Sequence, residues 1–184
     1  MINNIISTFK NLLDETHTKP NKNLKIYIFD NLKDLQQLIG DNCVDGFFDS
    51  MTGNMYMCDE IKFFKHELMH FVMYNWIGWP AALIHEGIAE SFCIEESFSN
   101  YSNDNMSIEK ILNKEIYSKE TYYQLGMFFL FIRKKFSLNI LKNIYRTIKG
   151  PRVLENISIL LKLESDILLE SFNTWRDSYS NGIC

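Results

Sequence analysis

Every strand-like segment of this chain lies before Cys58, and everything after it repeats at the helical period; that asymmetry limits the fold more than any other feature. Leu24 to Phe29 alternates and is rich in Ile and Tyr. Val44 to Ser50 and Asn54 to Cys58 flank Met51-Thr52-Gly53 like two strands about a turn. An amphipathic helix precedes them, with Ile2, Ile5, Ile6, Phe9, Leu12 and Leu13 at helical spacing, and a short helix from Asp30 to Ile39, closed by Gly40, separates the first strand from the second. Beyond Cys58 the spacing predicts helices over 60–77, 81–97, 107–116, 119–136, 138–148, 153–162 and 165–179. Strands first and helices later predict an α+β fold: a small N-terminal sheet of about three or more short strands, then a mostly helical remainder. The polar stretch from Ser97 to Ser107 predicts a surface loop, and no internal repeat is visible.

A length of 184 residues suits a single domain spanning 1–184, and 46% apolar residues can fill its core. The 23% charged and 14% aromatic content, with 8 Gly and 3 Pro, excludes a disordered or collagen-like chain. With 19 basic and 23 acidic residues the net charge is -4, which speaks against nucleic acid or an anionic membrane as partner. The basic run Arg133, Lys134, Lys135, Lys142, Arg146, Lys149 and Arg152 reads as solvated helix faces, its first three members suiting a helix C-terminus. Cys43, Cys58, Cys93 and Cys184 form no C-x-x-C pair and read as free thiols. No signal peptide or transmembrane helix is visible, since the longest late apolar run is only Met127 to Ile132, and with the free thiols this favours the cytoplasm.

The residues that carry chemistry are His66-Glu67-Leu68-Met69-His70, an H-E-x-x-H string inside a predicted helix. Positions i and i+4 share a helix face, so both imidazoles can address one tetrahedral zinc ion, while Glu67 stands beside them to take the proton of a zinc-bound water. Asp59 and Glu60 suit the start of that helix and Gly78 its end. The bland alternative is a pair of partly buried, hydrogen-bonded histidines.

Glu86 and Glu90 repeat the i, i+4 spacing on the next helix, and the link Gly78-Trp79-Pro80 is short enough to predict an antiparallel helix pair. At ~1.5 Å per residue, His70 lies ~10 Å before the end of the first helix and Glu86 ~9 Å into the second, while His66 and Glu90 lie ~16 and ~15 Å away. These heights offer Glu86 as third zinc ligand and Glu90 as the carboxylate that receives the other ring N–H of a ligand histidine, His66. Three protein ligands and one open position make a catalytic rather than a structural zinc site. His85 is the rival ligand, turned about 100° from Glu86 around the helix; a solvated acidic face is the bland one.

The string His66 to His70 resembles the zinc helix of the gluzincin metallopeptidases, and Leu83-Ile84-His85-Glu86-Gly87-Ile88-Ala89-Glu90 is similar to the W-L-x-E-G-x-A-E segment of their aminopeptidase branch. Tyr123-Gln124-Leu125-Gly126 resembles that branch's Y-x-x-G. The resemblance covers roughly residues 44 to 135. It implies a zincin-like fold, one Zn²⁺ per chain held by His66, His70 and Glu86, Glu67 as general base, and Tyr123 as donor to the tetrahedral intermediate, with Tyr122 as fallback. Gly126, one turn on, predicts a close helix approach. The spacer between His70 and Glu86 is shorter than in the aminopeptidases, and Gly40 to Cys58 contains no G-x-M-x-N, so exopeptidase action is not implied.

The function expected is zinc-dependent hydrolysis of a peptide or protein substrate. In the zincin-like fold that the resemblance implies, Asn54, Met55 and Tyr56, just before the zinc helix, are expected to form an edge strand on which an extended substrate pairs main chain to main chain, or simply an edge of the sheet. Two alternatives stand beside this. One is a catalytically silent zinc- or peptide-binding regulatory module of the same fold; the other is a zinc hydrolase of deformylase type, with Cys43 or Cys58 as ligand in place of Glu86.

Overall fold

The structure is a computed structural model that describes residues 2–40, 46–58, 64–78, 80–94, 107–114 and 119–180. It is α+β, and it divides into two compact units, Met1–Ile77 and Gly78–Cys184. The expected loop from Ser97 to Ser107 lies, save Ser107, outside the described residues, as do Asp59, Glu60, Cys43 and Cys184. Among the described residues Cys58 and Cys93 are free thiols. No helix of the described residues is long and apolar enough to cross a membrane.

The first unit runs α1 (Ile2–Glu15), β1 (Lys25–Phe29), α2 (Leu32–Ile39), β2 (Gly46–Asp49), β3 (Asn54–Cys58) and α3 (Phe64–Tyr74). Asn31 caps α2 by accepting from the Asp34 N–H at 3.0 Å, and Gly40 ends it in the left-handed region at φ 77°. β2 and β3 form the predicted antiparallel hairpin, with Phe48 opposite Met55, and Gly53 donates to the Asp49 carbonyl at 2.7 Å from a φ of 73° that favours glycine. β1 pairs with β3 in parallel, so the sheet order is β1-β3-β2.

Alternation along the strands sorts their side chains. Met55, Met57 and Phe48 are buried, while Tyr27, Tyr56 and Phe47 stack across the three strands with ring centroids 5.1 and 6.4 Å apart. Phe48 meets Phe71 and Tyr74 of α3 edge-on, and Phe9 of α1 meets Phe71. α3 therefore packs on both α1 and the sheet, and every side chain from His66 to Met73 is buried.

The zinc helix was expected to run to Ile77 and stop at Gly78; it stops at Tyr74. Asn75 and Trp76 bond back to the carbonyls three residues earlier, and the buried Trp76 indole donates to Thr18 Oγ1 at 2.8 Å, which draws the chain out of the helix. Ile77 then takes the left-handed conformation at φ 59°. Gly78 has a different use. A Cβ there would come within 3.1 Å of the Tyr145 carbonyl oxygen and 3.2 Å of Arg146 Cα, so only glycine lets this backbone pass.

The second unit contains α4 (Ala82–Ser91), α5 (Ile108–Lys114), α6 (Lys119–Lys135), α7 (Leu138–Thr147), α8 (Val153–Leu161) and α9 (Ser165–Ser180). Its core is α6, where Leu125 and every residue from Met127 to Ile132 are inaccessible to solvent. Phe128 and Phe131 pack on Phe172 of α9, with centroids 5.4 and 5.7 Å away. α4 lies against α6 through two glycines, Gly87 and Gly126, as the sequence predicts for Gly126. The basic residues at the end of α6 include one with a structural task. The Arg133 guanidinium covers the Phe92 ring at 4.0 Å and donates to the Ser91 carbonyl at 3.3 Å, closing α4.

Candidate metal centre

Three of the predicted site residues come together in the first unit. His66 and His70 stand one turn apart on α3, their rings 4.6 Å between centroids and 84° apart in plane, and Glu67 follows His66 directly. One ligand atom from each of the three lies within 4.8 Å of the others, a group that could hold a metal ion. The helix repeat sets this convergence, and the packing of α3 sets its burial. His66, Glu67 and His70 are only 8%, 9% and 6% exposed. Their burial together on one helix, with ligand atoms within reach of one another, is compatible with a metal-binding role.

β2 comes to Glu67 from the sheet. A Cβ built on Gly46 would sit 2.9 Å from Glu67 Cγ and 3.6 Å from its Oε1. The sequence analysis did not single out Gly46, because a glycine opening a strand carries no sign of what lies opposite it.

The substrate strand needs correction. Asn54, Met55 and Tyr56 belong to β3, which is the central strand, bonded to β1 on one side and β2 on the other. Its main chain is already used in both ladders and cannot receive a substrate strand. The edges of this sheet are β1 and β2. Cys58, the candidate of the deformylase reading, is buried at the end of β3 and does not join the His66, Glu67 and His70 group.

The second unit carries Glu86 and Glu90 one turn apart on α4, with Glu90 buried and Glu86 half-buried. A Cβ on Gly126 would fall 2.6 Å from Glu90 Cγ and 3.1 Å from its Cβ, so the missing side chain on α6 makes the room in which Glu90 lies. Gly87 has the same relation to Phe129 and Leu125. The glycine of the E-G-x-A-E string is thus explained by helix packing alone.

His85, the rival ligand, faces Tyr145 of α7, whose hydroxyl lies 3.4 Å from His85 Nδ1. Burial pushes the Tyr145 pKa up, so that hydroxyl keeps its proton and can donate to the imidazole. No local pattern in the sequence marks Tyr145 for this contact. Tyr123 is half-buried on α6, and burial raises its pKa, with Arg176 opposing the rise and Tyr179 adding to it. Arg176 and Tyr179 of α9 are thus among its electrostatic neighbours. Tyr122 instead lies four residues before Gly126 and three before Leu125, on the helix face that these residues turn to α4.

No family model, curated protein or solved structure matches this chain.

Proposed function

We propose that the chain is a zinc-dependent hydrolase of peptide bonds with a zincin-like arrangement, in which His66, His70 and Glu86 hold the metal. The observation that carries this reading is the buried group of His66, Glu67 and His70, with ligand atoms within 4.8 Å of one another. The pairing of Glu86 with a buried Glu90 one turn on gives it further support.

A zinc ion bound there would act as a Lewis acid toward the scissile carbonyl and the attacking water. Glu67 accepts a proton from that water at its carboxylate as the water adds to the carbonyl carbon, then delivers it to the leaving amine nitrogen as the C–N bond breaks. Glu90 fixes a ligand imidazole by accepting its second ring N–H. A tyrosine hydroxyl of α6, Tyr123 or Tyr122, donates to the oxygen on which negative charge develops. The substrate backbone takes the free edge of β2, the strand packed beside Glu67, in place of the central β3.

Zinc content of tag-free protein after dialysis against a weak chelator tests the reading, with wild type and Glu86→Ala side by side. About one zinc per chain in wild type and a large loss in the variant are expected from three protein ligands. Hydrolysis of a peptide library by wild type, abolished in Glu67→Gln with zinc retained, completes the case. Equal zinc in wild type and Glu86→Ala would remove Glu86 from the ligand set, and bound zinc without any cleavage would favour a silent binding module.

A further inference from the structure

We propose that Gly46 is a positioning residue: the hydrogen in place of a side chain at the start of β2 leaves the room in which the Glu67 carboxylate keeps its working rotamer. The inference rests on the role given to Glu67 above, and adds a residue from another element to it.

A Cβ on Gly46 would stand 2.9 Å from Glu67 Cγ, 3.5 Å from Cδ and 3.6 Å from Oε1, so the whole carboxyl end of Glu67 lies along this one position of β2. Carbon atoms in good contact are ~3.5–4.0 Å apart, so alanine would require a displacement of roughly 1 Å. Cγ is two bonds from the helix backbone and moves chiefly by rotation about χ1, whose staggered wells are about 120° apart. A yielding Glu67 therefore swings its carboxylate away rather than sliding it by tenths of an ångström. The alternative, withdrawal of β2, is opposed by its pairing to β3 from Gly46 through Asp49 and by Phe48 packed on Phe71 and Tyr74. Gly46 lies outside the positive-φ region, so the backbone does not require glycine here; the carboxylate opposite does.

Two measurements on the full chain test this. The first is a double-mutant cycle by urea unfolding. Gly46→Ala should destabilise the chain with Glu67 present and much less in the Glu67→Ala background, where Cγ is gone. An equal penalty in both backgrounds overturns the contact, as does a chain that fails to fold in both; failure with Glu67 and recovery with Glu67→Ala supports it. The second is kinetic, on zinc-loaded protein. A general base swung out of its position should lower kcat by on the order of 100-fold or more, since a displacement of about 1 Å already costs that much, with KM and zinc content little changed. A rise in KM alone would mean that Gly46 serves the substrate and would overturn the proposal. So would an unimpaired kcat in Gly46→Ala beside a dead Glu67→Gln. A wild type that holds no zinc and cleaves nothing would defeat the functional reading and the catalytic part of this one together, while the unfolding cycle still decides whether Gly46 restrains Glu67.

Discussion

Replacing Gly87 by alanine separates two explanations of the E-G-x-A-E string, one in which glycine clears space for a substrate and one in which it clears space for α6. At an ordinary position inside a helix this change stabilises by about 1 kcal/mol, because alanine loses less conformational entropy. Here the new Cβ would lie 2.6 Å from Phe129 Cε2, closer still to Cδ2, and 3.2 Å from Leu125 Cβ. The ring cannot turn aside freely, since Phe129 is inaccessible to solvent and meets Phe128 edge-on at 5.6 Å. Leu125 Cβ is tied directly to the α6 backbone, so relief requires the two helices to part. Overpacking costs about 1–3 kcal/mol, and these contacts place Gly87→Ala near the upper end. After the helical gain a net loss of about 2 kcal/mol remains, which for a chain of this length lowers Tm by about 4–8 °C. Calorimetry on Gly87→Ala reads this directly. In a Phe129→Leu background the ring edge is absent and the penalty should shrink by about 1–2 kcal/mol, as expected for residues in contact. An unchanged or raised Tm in the single variant, or equal penalties in both backgrounds, would refute the packing argument.

Three further outcomes test other parts of the fold. Lys162, exposed at the end of α8 with φ 57°, sits where Leu163 N–H reaches back to the Ser158 carbonyl at 3.0 Å; Lys162→Gly should raise stability by about 1 kcal/mol, and a lower Tm would exclude strain there. Trp76→Phe removes the indole donation to the buried Thr18 Oγ1, and should cost about 1 kcal/mol in urea unfolding; no loss would show that this bond does not end α3. The Thr52 hydroxyl and the Met51 and Thr52 N–H groups hold the Asp49 carboxyl below its usual range, although partial burial opposes them. Its contribution is then present above about pH 4 and is lost as pH falls through the lower folded value. Asp49→Asn should flatten this acid limb of the unfolding curve, and an unaltered limb would assign it to other groups.

Much of the scaffold was legible because its signals are local. The alternation at Leu24 to Phe29, the turn at Met51-Thr52-Gly53 and the close of the short helix at Gly40 depend on neighbours within a few residues, and the structure has the corresponding elements. The H-E-x-x-H grouping is local in the same way, since i, i+4 spacing alone brings His66, Glu67 and His70 together. The order of strands is not local. Asn54 to Cys58 was expected at an edge because it directly precedes the helix of the H-E-x-x-H string, where the zincin-like resemblance places an edge strand, whereas β1 pairs in parallel beside it and makes it central. The end of α3 was placed at Gly78 for a related reason: glycine after an apolar period signals a C-terminus, while the bond from Trp76 to Thr18 joins residues far apart in the chain and has no local pattern.

The choice between Tyr122 and Tyr123 shows where such reasoning ends. A helix face is read from contrast between apolar and polar positions, and α6 offers none from Leu125 to Ile132, where every residue except Gly126 is apolar. A helix buried all round has no orientation in its sequence. Its orientation comes from the partners: Gly126 opposite Glu90, Leu125 and Phe129 opposite Gly87, Arg133 against Phe92, and Phe128 and Phe131 against Phe172. Counting back from Gly126 and Leu125 by one turn puts Tyr122 on the α4 side, while the electrostatic neighbours of Tyr123 are Arg176 and Tyr179 of α9. The Y-x-x-G resemblance names Tyr123 by motif, and the packing favours Tyr122 by geometry. Phenylalanine at each position in turn decides between them: the oxyanion donor is the one whose loss lowers kcat by about 100-fold, the scale of a single missing donor, with zinc retained. A large loss at Tyr123 alone would overturn the geometric reading.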